Sequence, residues 1–87
     1  MTSTISTAYG PAPMWLRLQQ IAEFAPDAEI PTLVRNVVKR LNPVRKRTLR
    51  VAATDELQQL AGKRTSEPRK QARWMLTLRE ALEALDN

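Results

Sequence analysis

Apolar residues recur at helical spacing between Ile30 and Leu41. They occupy positions i, i+3, i+4, i+7, i+8 and i+11 without a gap: Ile30, Leu33, Val34, Val37, Val38 and Leu41. Side chains at this spacing lie on one face of an α-helix. Pro31 suits a first helical turn, where a missing N–H leaves no bond unmade, and Asn42-Pro43 would end the helix. The pattern predicts an amphipathic helix over 30–41.

Two further segments, 14–25 and 67–85, have an apolar stripe of the same kind. The stripe of the first consists of Met14, Trp15, Leu18, Ile21, Ala22, Phe24 and Ala25, and that of the second consists of Trp74, Met75, Leu78, Ala81, Leu82 and Leu85. Both segments begin beside a proline, which is typical of a helix start. We therefore predict a helix over each segment.

The two tryptophans belong to these stripes. Because Trp15 and Trp74 lie inside an apolar face rather than opposite one, we expect both rings to be buried in one core. Leu16 and Leu76 fall on the polar side of their helices. These two leucines are therefore expected to be exposed, where they would suit a contact with another protein or a homodimer seam.

The segment 43–61 has a weaker pattern. Asn42 can cap a helix that starts at Pro43, but the residues from Thr48 to Val51 also alternate as in a short strand. Thr54, followed by two acids, is a good N-cap for a separate helix that ends at Gly62. We expect helix here, either as one kinked helix or as two pieces broken at Thr54.

These segments predict an all-α fold, a small bundle of about four helices. With 87 residues the chain is one domain, here assigned to 13–87, and the Ser/Thr-rich stretch 1–12 with Gly10-Pro11 is expected to be a flexible tail. A chain this short buries a thin core, so self-association or a partner would add to its stability.

Composition excludes most catalytic chemistry. The chain contains no Cys and no His, which removes disulfides, thiolate and imidazole catalysis and most transition-metal sites. Gly62-Lys63-Arg64-Thr65-Ser66 is similar to the end of a phosphate-binding loop, but Leu57 stands where the first glycine belongs. We expect no enzyme, no cofactor and no metal.

The apolar runs are three residues at most, such as Met14-Trp15-Leu16, so no membrane span is expected. The N-terminal stretch lacks the basic and apolar regions of a secretory signal. The sequence therefore predicts a cytoplasmic protein with no membrane partner.

Positive charge is concentrated in two stretches. The net charge is +5, with 14 Lys plus Arg against 9 Asp plus Glu. Residues 35–50 carry seven basic side chains and no acid, and residues 63–73 carry five more. The candidate phosphate-binding residues are Arg35, Lys39, Arg40, Arg45, Lys46, Arg47, Arg50, Arg69, Lys70 and Arg73.

This charge favours a small nucleic-acid-binding protein that contacts the phosphate backbone, with DNA expected rather than RNA. Three of the four aromatic residues lie in apolar stripes, so base stacking is poorly supplied. A helix-turn-helix is one option at the Asn42-Pro43 corner, although no Gly occurs from 11 to 61. The alternatives are a regulatory protein-interaction module of the phage or plasmid type, which docks an acidic partner or forms a homodimer, and a ribosomal-RNA-associated protein.

Overall fold

The computed structural model describes residues 12–86, which form four α-helices. These are α1 (Ala12–Phe24), α2 (Ile30–Lys39), α3 (Pro43–Ala61) and α4 (Pro68–Asp86), with a short 3-10 helix, Asp27–Glu29, before α2. No strand occurs within this range. The predicted all-α bundle of four helices is confirmed. The tail predicted over 1–12 lies outside the described residues except for Ala12, with which α1 begins.

The last helix is the centre of the bundle. α4 packs against α1, α2 and α3, whereas α1 also packs against α2. Leu78 and Ala81 of α4 are fully buried, and they meet fully buried side chains of the other three helices: Leu18, Ile30, Val34, Leu49 and Ala53. The one buried polar side chain in this range, Thr77, donates a hydrogen bond of 2.8 Å to the Arg73 carbonyl. The core therefore contains no unpaired side-chain donor or acceptor in the described part of the chain.

Helix α3 is continuous from Pro43 to Ala61. The short strand considered for 48–51 and the break considered at Thr54 are both wrong, because one buried stripe continues through both positions. Leu49 and Ala53 are fully buried, and Leu57 and Leu60 extend the same stripe against the core. Thr54 is an exposed residue inside the helix rather than its cap.

The connection between α2 and α3 consists of three residues, 40–42. Asn42 has an extended backbone (φ −77°, ψ 168°), and its Oδ1 accepts a hydrogen bond of 2.8 Å from the Arg45 N–H. Arg40 has an ordinary right-handed backbone (φ −87°). Neither residue has a positive φ, so neither position requires glycine. The predicted Asn42 cap is confirmed.

The two tryptophans meet at the edge of the core. Trp15 and Trp74 pack edge to face, with ring centroids 5.3 Å apart and planes at 86°. Both pack against the core but are half-buried rather than buried, so that part of the prediction is wrong. Trp74 stays at the edge because its Nε1 donates a 3.0 Å hydrogen bond to the carboxylate of Glu56 on α3, a residue that is itself only half-buried. The indole pair therefore ties α1 and α4 together, and its polar edge reaches α3.

Three apolar residues test how far the stripes predict burial. Leu16 is 55% exposed, as expected from its position on the polar side of α1. Leu76 is half-buried and packs against the core, so the expectation that it is exposed is wrong. Phe24 belongs to the predicted apolar face but is 76% exposed, because it is the last residue of α1 and lines an open cleft.

Candidate nucleic-acid interface

Seven basic side chains lie along the second half of α2, the 40–42 connection and the first half of α3. We call them the basic surface: Arg35, Lys39, Arg40, Arg45, Lys46, Arg47 and Arg50. All are exposed except Lys46, which is half-buried. Arg35 and Lys39 lie one helical turn apart on α2, opposite its buried stripe. The structure thus brings the predicted residues of 35–50 onto the solvent side of two consecutive helices.

Acidic side chains are almost absent from this surface. No Asp or Glu occurs between Glu29 and Asp55. Within residues 12–86 the one ion pair made by the basic surface joins Arg50 Nη1 to Asp86 Oδ1 at 2.9 Å. The two side chains are 49% and 67% exposed, so this pair contributes no more than about 1 kcal/mol. A phosphate could displace Asp86 at little cost.

The basic residues also oppose the dipole of α3. Arg45, Lys46 and Arg47 lie in the first two turns of this helix, and its first turn contains no acid. The N-terminal end of a helix carries partial positive charge, so each cation there costs about 0.3–1 kcal/mol when exposed. An anion bound at this corner would remove that repulsion.

The five cations of the second stretch, 63–73, do not all face solvent. Arg69 is exposed, and Lys70 lies 3.8 Å from the Glu67 carboxylate in an exposed pair. Arg73 is the exception, because its side chain is only 23% exposed and turns toward the end of α1. We keep the name second basic cluster for the exposed cations Lys63, Arg64, Arg69 and Lys70.

Arg73 binds the C-terminal end of α1. Its Nε donates a 2.8 Å hydrogen bond to the Ala22 carbonyl, and its two terminal nitrogens contact the Ala25 carbonyl and the Asp27 carboxylate. The last carbonyls of a helix have no partner within the helix, and a cation there is favoured by the helix dipole. Arg73 therefore fastens the α1–α2 connection to α4, and we leave it out of the proposed interface.

A cleft of about 680 Å³ lies on another part of the molecule, between α1 and the α3–α4 connection. Leu16, Phe24 and Trp74 contribute apolar surface to its lining, and Lys63, Arg64, Glu23 and Glu67 are among its charged lining residues. Sequence reasoning missed this cleft, because an apolar stripe identifies a helix face but not the place where neighbouring helices stop covering it.

No group of acidic side chains in residues 12–86 has the arrangement needed to hold a metal ion. No helix in the same range is long and apolar enough to cross a membrane. Comparisons with protein-family models, with curated proteins and with solved structures gave no significant match. The function is therefore inferred from this chain's own residues.

Proposed function

We propose that this protein is a small non-enzymatic nucleic-acid-binding protein whose basic surface contacts the phosphate backbone, with DNA as its ligand rather than RNA. The observation that carries the proposal is the acid-free stretch from Ile30 to Thr54. Its seven cations lie on two consecutive helices and their connection, and six of them form no ion pair within residues 12–86. The second basic cluster is expected to contribute less, since Lys70 is already paired with Glu67.

The physical basis is the release of counterions. Each Lys or Arg that neutralises a DNA phosphate releases condensed cations, so the logarithm of affinity falls with the logarithm of salt by about 0.9 per contact on duplex DNA. Four to six contacts by the basic surface give a slope of roughly −4 to −5. Such contacts position a protein on DNA without selecting a sequence.

The test compares two variants of equal charge by fluorescence anisotropy on a random duplex at several salt concentrations. The first replaces Arg45, Lys46, Arg47 and Arg50 by Gln. The matched control replaces the second basic cluster by Gln, so both variants fall from +5 to +1. All but one of the replaced side chains are exposed, so both variants should keep their helix content by circular dichroism.

We expect the first variant to lose most of the salt slope and the control to lose much less, because the control leaves the basic surface intact. Equal losses in the two variants would mean that net charge alone attracts DNA. No measurable affinity of the wild type for DNA or RNA near 50 mM salt, where phosphate contacts are strong, would refute the proposal.

The cleft favours a second candidate function, the docking of an acidic protein. Phe24 and Leu16 are 76% and 55% exposed there. The charged lining is net positive, with three cations, Lys63, Arg64 and Lys70, against two acids, Glu23 and Glu67. A second copy of the chain is a less suitable occupant of the cleft, because each copy carries a net charge of +5 and the two would repel. The Phe24→Ser variant should lose such a partner and keep its affinity for DNA. Sedimentation of the wild type at rising concentration tests the homodimer.

A further inference from the structure

The side of α3 that faces away from the core carries an unusual set of side chains. We call it the outward face, and it consists of Val44, Arg47, Val51, Thr54 and Gln58. These residues follow one another at spacings of three or four, so they form one row along the helix, opposite the buried Leu49 and Ala53. All five are exposed.

Two valines in this row bury little surface in the free protein. Val44 is 73% exposed and Val51 is 66% exposed. They flank Arg47 along the helix, Val44 three residues before it and Val51 four residues after it, each about one turn away. Arg47 makes no side-chain hydrogen bond or ion pair within residues 12–86. Single exposed apolar residues are ordinary, but here two branched apolar side chains and an unpaired guanidinium share one face in the acid-free stretch.

We propose that the outward face of α3 enters the major groove of duplex DNA and contacts base edges, which gives the protein a sequence preference. This inference rests on the proposed function and adds the part of the chain that selects a sequence. An α-helix with its side chains is about 10–12 Å across, and the major groove is about 12 Å wide. Arg binds guanine through two hydrogen bonds there, and apolar groups contact the thymine methyl.

The flanking residues fit this placement. At 100° per residue, Arg45 and Arg50 project from opposite sides of α3, about 140° and 80° away from the centre of the outward face. With the outward face in the groove, Arg50 would reach the phosphates on one side and the long side chain of Arg45 would reach those on the other. Asp55 ends the acid-free part, so the contact is confined to 43–54, about 18 Å of helix. The N-terminal residues of a helix are also those that contact bases in helix-turn-helix proteins.

The same geometry separates DNA from RNA. The major groove of A-form RNA is deep and too narrow for side chains to reach the bases, so α3 cannot enter it. The protein would then bind duplex RNA only through contacts with the phosphates. We expect duplex RNA of the selected sequence to bind more weakly than the DNA, at the affinity of random DNA.

The first test is selection of binding sequences from a random duplex library by the full chain. The wild type is expected to enrich a short motif that includes a guanine. The variant Arg47→Gln should lose the preference for that guanine, a discrimination of about 5- to 150-fold for a two-bond arginine contact. The matched control Arg35→Gln removes the same charge from α2 and should weaken all sequences alike.

The second test places a carboxylate on the outward face. Val51→Glu should reduce duplex affinity at least tenfold, whereas Leu16→Glu, which makes the same change at an exposed leucine of α1, should change it little. Absence of any enriched motif, or equal effects of the two glutamates, would overturn base contact by α3 and leave phosphate binding standing. If the wild type bound no duplex at all, the proposed function itself would be refuted.

Discussion

Replacing Arg73 by Met should destabilise the protein without changing how it binds DNA. In the structure this guanidinium contacts two carbonyls at the end of α1 and the carboxylate of Asp27. Methionine keeps much of the aliphatic packing of the side chain but removes every one of these donors. The sequence alone places Arg73 among the candidate phosphate contacts, so the variant separates the two roles.

The size of the effect follows from the contacts. Each hydrogen bond from Arg73 to a backbone carbonyl contributes about 1 kcal/mol net. The Asp27 side chain is 75% exposed, so its ion pair adds less than about 1 kcal/mol. Attraction to the α1 dipole adds about 0.3–1 kcal/mol. The variant should therefore lose about 2–4 kcal/mol, which lowers the melting temperature of a domain this small by about 10–30 °C.

Thermal unfolding followed by circular dichroism measures this loss. The matched control is Arg79→Met, which removes the same charge from an exposed position of α4 and should change stability by less than about 0.5 kcal/mol. At a temperature where both variants are folded, both should keep the wild-type salt slope on duplex DNA. Equal melting temperatures, or a flatter slope for the Arg73 variant alone, would refute the structural role.

Three further predictions concern the core and the corner. Leu49→Ala should lower the unfolding free energy by about 2–5 kcal/mol in chemical denaturation, because Leu49 is fully buried. Val51→Ala should change it by less than about 0.5 kcal/mol, because Val51 is exposed. Similar losses in the two variants would contradict the orientation of α3. Asn42→Ala removes the α3 cap and should cost about 1 kcal/mol, with most of it restored in Asn42→Asp. Trp15→Ala should lose about 3 kcal/mol and change the fluorescence of Trp74, its edge-to-face neighbour, and an unchanged emission spectrum would count against that contact.

Local signals were sufficient to predict most of the helices. The unbroken stripe of 30–41 and the proline and asparagine at helix starts act within a few residues, so the sequence displays them directly. The stripe also runs slightly past the helix, since α2 ends at Lys39 while Leu41 still packs against the core. In α3 the local pattern was ambiguous, because the basic residues interrupt the apolar stripe and contact with α4 determines its continuity.

The candidate site was predictable only in part. A run of cations without acids is visible in the sequence, and in the structure the basic side chains of 35–50 are exposed except for the half-buried Lys46. The partner of a single arginine is not visible in the same way. Arg73 binds the Ala22 carbonyl, 51 residues away in the chain, and no local pattern distinguishes it from Arg69, which is exposed. The same applies to Phe24, since the apolar stripe of α1 places it on the apolar face but does not show that α4 leaves it uncovered.

The measurement that tests the central claim most directly is a map of backbone amide chemical shifts as a short random DNA duplex is added to the isotope-labelled protein. Binding through the basic surface predicts that the largest changes fall in 35–51, at the end of α2, the corner and the first turns of α3. The amides of Leu16, Phe24 and Lys63 around the cleft should change little. Changes concentrated around the cleft, or no changes at low salt, would contradict the assignment of phosphate binding to the α2–α3 corner.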